Sequence, residues 1–134
     1  MADIVLFHHI LGRTPGVVAI AEELTRAGHT VHVPDLFDGE TFTQLEDGFA
    51  HMQSLDPERL RAQVDATVEA LPADLVYAGI SWGVSHAQRL AQTRAGARGA
   101  LFFEACFPVM CELSFGQWPS RLPLEIHGMG QDEF

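Results

Sequence analysis

The chain has 134 residues, of which 47% are hydrophobic and 19% charged, and its formal net charge is −10. This length predicts one domain with a core of its own, and the composition is typical of a soluble globular protein. The acidic balance argues against nucleic acid or an anionic membrane as a partner, because either would repel the chain. No signal-peptide pattern or long apolar run is visible, so we expect a cytoplasmic protein.

Short apolar runs alternate with helical patterns along the chain. The runs that predict buried strands lie, in order, at 4–7, 30–33, 75–78, 99–103 and 122–127. The predicted helices lie at about 15–27, 44–52, 57–71 and 84–91. Two of these helices open on a cap followed by a proline, at Thr14-Pro15 and at Asp56-Pro57. Strands that alternate with helices predict a parallel α/β sheet with helices on both faces.

The segment Gly79-Ile80-Ser81-Trp82-Gly83 joins a predicted strand to a predicted helix. Strand, G-x-S-x-G and helix form the context of a nucleophile elbow, in which a strained turn exposes the serine hydroxyl above the sheet. Gly79 and Gly83 would let the strand and the helix approach closely, and the helix would point its positive end at Ser81. A glycine-serine turn that merely ends a strand is the alternative. The flanking pattern favours a nucleophile at Ser81.

Other polar residues fall at or just beyond the predicted strand ends, where open α/β sheets bind their ligands. These residues are His8, His9, Glu104, His127 and Asp132. The histidines and the two cysteines show no metal-ligand spacing, and two cysteines are too few for a disulfide framework. We therefore expect no metal and no cofactor.

Four motifs together resemble the dienelactone hydrolase family of α/β-hydrolases. They are Phe7-His8-His9-Ile10-Leu11-Gly12, Pro34-Asp35-Leu36-Phe37-Asp38-Gly39, Gly79-Ile80-Ser81-Trp82-Gly83, and Ile126-His127-Gly128 leading to Asp132. The resemblance runs over nearly the whole chain. It implies a reduced α/β-hydrolase fold over residues 1–134 as a single domain, with a five-stranded, mostly parallel sheet of order 2-1-3-4-5.

The resemblance also implies roles for individual residues. Ser81 matches the nucleophile, Asp132 the acid, and the backbone amides of Ile10 and Trp82 the oxyanion hole. Arg13 is placed to meet a substrate carboxylate, as arginines do in the family. The family's final strand and the histidine that serves as general base would come after Asp132, so the chain is expected to lack both.

Several assignments stay open. The base is expected from His8, from His9 or from a neighbouring subunit, and either histidine could instead orient the substrate. Glu104, which follows a strand in an apolar context, is an alternative to Asp132 as the acid. Trp118 is a candidate for lining a substrate pocket.

We therefore expect a carboxylesterase-type serine hydrolase that cleaves small or activated esters through an acyl-enzyme at Ser81. The alternative is a hydrolase-fold binding module that lacks its general base. The strand at 122–127 has few residues after it, and an open apolar sheet edge invites pairing. We therefore expect the chain to form a homo-oligomer through this strand, which would cover the open edge.

Overall fold

A computed structural model describes residues 2–103 and 122–127, with the backbone alone for 124–127. Five strands form one sheet: β1 (Asp3–Phe7), β2 (Thr30–His32), β3 (Leu75–Ile80), β4 (Gly99–Phe103) and β5 (Leu124–His127). Their order is β2-β1-β3-β4-β5, and every neighbouring pair is parallel. The predicted α/β fold and strand order are confirmed, although β5 begins two residues later than its apolar run.

In the described part of the chain, four helices lie between β1 and β4: α1 (Pro15–Arg26), α2 (Leu45–Ser54), α3 (Pro57–Glu69) and α4 (Val84–Thr93). Asp56 caps α3 as predicted, because its carboxylate accepts the Glu58 N–H at 3.1 Å. Thr14 occupies the cap position of α1, but its side chain makes no capping hydrogen bond. Pro15 and Pro57 hold the first helical positions, where a missing N–H costs nothing.

The helices pack on both faces of the sheet, as the sequence predicts. One apolar cluster joins α1 to the sheet through Val17 and Ala21, which pack on Ile4 and Leu6. The other cluster joins α3 and α4 to the opposite face of β1, β3 and β4. Neighbouring residues of a strand point to opposite faces, so the central strands must be apolar throughout. The central strand β3 accordingly has five buried residues out of six.

The outer edge of the sheet is formed by β5, which pairs with β4. No further strand pairs with β5 in the part of the chain that the structure describes. Association of two copies through this edge stays a prediction. Across residues 2–103 and 122–127, no helix combines the length and the apolar character that crossing a membrane requires.

Candidate active site

Ser81 lies on a strained turn between β3 and α4. A short 3₁₀ turn, Ser81–Gly83, leads directly into α4, and the backbone of Ser81 has φ = +51°. A non-glycine residue rarely adopts positive φ, because its Cβ crowds the neighbouring carbonyl oxygen. Strain of this kind persists where the surrounding structure enforces it, most often at functional sites. The strand, strained turn and helix that the sequence predicts around Ser81 are therefore present.

Two glycines make this turn possible by allowing close packing. A Cβ on Gly79 would lie 2.6 Å from the carbonyl carbon of Gly83, so the strand and the helix touch without a side chain between them. A Cβ on Gly83 would lie 2.2 Å from the Phe7 carbonyl oxygen and 2.5 Å from that of His8. The start of the helical turn therefore rests on the end of β1. This packing brings the elbow against the loop that follows β1.

The loop after β1 is a tight turn that presents the Ile10 amide. The Gly12 N–H donates to the His9 carbonyl oxygen at 3.1 Å, and Gly12 has φ = +95°. The Leu11 N–H donates to the ring of His9. Among the hydrogen bonds of the described residues, none is donated by the Ile10 N–H. The amide of Ile10 thus stays available, as an oxyanion-hole donor requires.

The second predicted oxyanion donor, Trp82, lies in the 3₁₀ turn Ser81–Gly83, which leads directly into α4. The first N–H groups of a helix have no partner within the helix, and the helix dipole places partial positive charge there. An anion near Ser81 would therefore be stabilised by both effects. The closeness of Gly83 to the end of β1 keeps this amide near the loop that carries Ile10.

His8 is fully buried, and both nitrogens of its ring are hydrogen-bonded to the backbone. Its Nε2 accepts the Leu36 N–H at 2.9 Å, so the proton of the neutral ring is on Nδ1, which lies 2.8 Å from the His9 carbonyl oxygen. Loss of hydration on burial lowers the pKa of His8. These contacts do not fit the predicted role of His8 as a general base, because the one ring lone pair of neutral His8 already accepts the Leu36 N–H. The ring instead ties the loop at Leu36 to the end of β1.

His9 is half-buried, and its ring closes the same loop. Nδ1 of His9 accepts the Leu11 N–H at 3.2 Å, which assigns the proton of the neutral ring to Nε2. A ring in this tautomer donates a hydrogen bond at Nε2 rather than accepting a proton there. Of the two predicted roles of His9, base and substrate orientation, this contact fits the second.

A third histidine, His86, is buried on α4, where its ring meets the indole of Trp82 at 4.8 Å between centroids. Its pKa is lowered to about 4, first by loss of hydration and then by the positive charge of Arg89, with a smaller contribution from His8. The carboxylate of Asp65 opposes this shift. Neutral imidazole is therefore the form that the fold accommodates at this position.

Acidification should destabilise the fold through His86. The unfolded chain binds a proton below pH 6.5 and the folded chain only below about pH 4, so this stability is complete above pH 6.5 and is lost as the pH falls toward 4. The loss should be about 3 kcal/mol. Urea unfolding at pH values from 7 to 4 measures it, and His86→Leu should flatten the slope. Equal slopes in both proteins would contradict this role of His86.

Of the four remaining predicted site residues, the structure describes only one. Arg13 is exposed in the loop between β1 and α1. Glu104, Asp132 and Trp118 lie outside the described residues. Within the part of the chain that the structure covers, no group of three or more histidine, cysteine or carboxylate side chains is arranged to hold a metal ion.

One carboxylate–histidine pair was not anticipated from the sequence. Nδ1 of His51, on α2, lies 3.3 Å from a carboxylate oxygen of Glu40, and the ring packs on Phe37 at 4.8 Å between centroids. A carboxylate at Nδ1 fixes the orientation of an imidazole ring. No spacing in the sequence predicts this pair, because Glu40 lies in the irregular segment before α2.

The sequence matches no protein-family model and no curated protein. The fold of this chain is similar to that of several solved structures. A Klebsiella pneumoniae subsp. pneumoniae protein described as a dienelactone hydrolase has a TM-score of 0.65 and 14% identity, over 96% of this chain and 60% of its own. A protein named m3DLH has a TM-score of 0.66 and 22% identity, over 94% of this chain and 55% of its own.

A hydrolase of the α/β superfamily from Xanthomonas campestris pv. campestris has a TM-score of 0.55 and 23% identity, over 96% of this chain and 71% of its own. This chain thus spans only 60% and 55% of the length of the first two proteins. At these identities the likeness establishes the fold. The chain has an α/β-hydrolase-like fold.

Proposed function

We propose that this chain carries the nucleophile and the oxyanion hole of a carboxylesterase-type serine hydrolase that acts on small or activated esters. The observation that carries the proposal is the positive φ of Ser81 at the end of β3, in front of a helix and held between two close-packed glycines. No fold requirement explains a serine there, since glycine would adopt the same backbone without strain. A hydroxyl at the strained position does have a chemical use.

The first half of the reaction forms an acyl-enzyme. Oγ of Ser81 attacks the ester carbonyl carbon, its hydroxyl proton passes to water or buffer, and the amides of Ile10 and Trp82 donate to the resulting oxyanion. Collapse of this intermediate expels the alcohol and leaves the acyl group on Ser81. A phenolate leaving group needs no proton, so an activated ester makes the smallest demand on a general base.

The second half of the reaction makes the larger demand. Water attacks the acyl group, and a base must take its proton as the acid is released. The lone pairs of His8 and His9 already accept backbone N–H groups, so neither ring is prepared for this task. We therefore expect deacylation to be the slow step. In this proposal Asp132 or Glu104 serves as the acid residue, and Arg13 and Trp118 contact the substrate.

A second candidate function rests on the same histidine contacts. A hydrolase fold in which the two predicted bases, His8 and His9, already accept backbone N–H groups could bind a small ligand or a partner without chemistry. In that case the elbow would be a remnant of a catalytic site, and Ser81 would not react.

A burst experiment separates the two candidates. Mixing the chain with excess p-nitrophenyl acetate should release about one equivalent of p-nitrophenolate rapidly, followed by slower turnover, because the acyl-enzyme accumulates. The same chain unfolded in urea provides the control for reaction with scattered nucleophiles. Release at the rate of buffer alone, with no burst, would support the binding module and contradict the esterase.

A further inference from the structure

A cavity lies beside Trp82, between α3 and α4, with Met52 of α2 also in its wall. It has a volume of about 280 Å³, and Ser81 is not among the residues that line it. Its walls are mostly apolar and include Met52, Leu55 and Leu60. A dry apolar cavity of roughly 150 Å³ holds one benzene molecule. The space between α3 and α4 therefore accommodates a single aromatic ring with a short substituent.

The indole of Trp82 and the ring of His86 form one wall of this cavity. The two rings meet edge to face, at 4.8 Å between centroids and with an interplanar angle of 90°. Two perpendicular rings present both a ring face and a ring edge against which a bound aromatic ring can pack. The aromatic surface of the wall favours a flat ring over a branched aliphatic group.

His86, which lines the cavity, has a ring nitrogen without a hydrogen-bond partner among the described residues. Its side chain is 9% exposed, and its Nε2 is buried with no hydrogen-bond partner among the described residues. Buried polar atoms almost always have a partner, so an orphaned one requires an explanation. The lowered pKa keeps the ring neutral near pH 7, where Nε2 either donates or accepts a hydrogen bond. Nε2 exposes less than 1 Å² of surface, so a polar group of a bound molecule reaches it only after the ring turns toward the cavity.

Two arginines line the same cavity, although the chain as a whole carries a net charge of −10. Arg89 is mostly buried and pairs with Asp65 at 2.8 Å. Arg61 is exposed, and it takes part in no ion pair with the described residues. A cation without a counterion beside an apolar cavity favours an anionic end on the molecule that enters it.

We propose that the cavity between α3 and α4 is a binding site for a small aromatic carboxylic acid, distinct from the site at Ser81. The ring of the acid packs against Trp82, the leucines and the ring of His86, and its carboxylate lies toward Arg61. This site does not depend on hydrolysis, because none of these side chains takes part in the attack by Ser81. Binding and ester cleavage are therefore testable separately.

Isothermal titration calorimetry of the full chain with benzoate tests the proposal. We expect a dissociation constant of about 1 mM or lower, and benzamide, which has the same shape without the charge, should bind about tenfold more weakly. Arg61→Gln should weaken benzoate binding by about tenfold. Arg59→Gln provides the matched control, because it removes the same charge from α3 at a residue that does not line this cavity.

The variants also locate the site. His86→Leu should weaken binding in a chain whose far-UV circular dichroism is unchanged, and the arginine pair decides the question if that variant does not fold. Absence of binding at millimolar benzoate would overturn the proposal. Equal losses in Arg61→Gln and Arg59→Gln would also overturn it, since they would indicate general attraction to cations. Equal affinities for benzoate and benzamide would exclude carboxylate recognition.

Discussion

Ser81→Ala should abolish the p-nitrophenolate burst and slow acylation by about a thousandfold or more, as loss of a serine nucleophile does elsewhere. The physical reason is direct, since the new side chain has no atom that can form the acyl bond. The fold should be retained, because alanine and serine face the same penalty at φ = +51°. Stopped-flow absorbance with p-nitrophenyl acetate measures the burst, and thermal unfolding checks the fold.

Ser85→Ala provides the control for this variant. Ser85 is in the first turn of α4, and its hydroxyl donates to the Trp82 carbonyl oxygen at 2.7 Å. It is therefore a serine of the same region whose backbone is helical rather than strained. The burst should persist in Ser85→Ala. A burst of wild-type size in Ser81→Ala would exclude Ser81 as the nucleophile.

Gly83→Ala should destabilise the fold by about 4 kcal/mol or more, which is enough to unfold many domains of this size. The added methyl group would lie 2.2 Å from the carbonyl oxygen of Phe7 and 2.5 Å from that of His8. Both contacts are with backbone atoms, of the last residue of β1 and of the residue that follows it, so no side-chain rotation relieves them. Gly83 itself has ordinary helical dihedrals, φ = −62° and ψ = −21°, so the penalty comes from packing and not from its own conformation.

Gly16→Ala is the matched control for that substitution. Gly16 is an exposed residue of α1, and the nearest atom to a Cβ placed there is the Thr14 hydroxyl oxygen at 3.8 Å. Alanine favours helix over glycine, so Gly16→Ala should be neutral or stabilising by up to about 1 kcal/mol. Urea-unfolding curves of both variants give the comparison. Similar midpoints for the two variants would contradict the close packing of the elbow on β1.

The elbow was predictable because its information is local. A strand pattern, two glycines around Ser81 and a helical pattern follow one another directly in the chain, and each agrees with the next. The alternation of strands and helices predicted a parallel sheet, and its strand order was implied by the resemblance to the dienelactone hydrolase family, which four motifs spread over the chain carry. The position of β5 was less precise: its apolar run starts at Leu122, but pairing with β4 begins at Leu124.

The state of the histidines was not predictable, because distant backbone atoms decide it. The tautomer of His8 depends on the Leu36 N–H, which comes from a loop 28 residues further along the chain. No pattern in the sequence places His86 beside a cavity, which forms where α3 packs next to α4. The pairing of His51 with Glu40 likewise requires the fold of the segment between them. Sequence patterns indicate which residues reach a sheet edge, but not which of their atoms are already bonded.

The most direct test of Ser81 as the nucleophile is to identify the residue that carries the acyl group. The reaction with p-nitrophenyl acetate is quenched in acid during the burst, when the acyl-enzyme is most abundant, and the digested chain is examined by tandem mass spectrometry. We predict one acetyl group per chain, on Ser81, in the peptide that joins β3 to α4. Acetyl groups found on other residues, with Ser81 unmodified, would contradict the account.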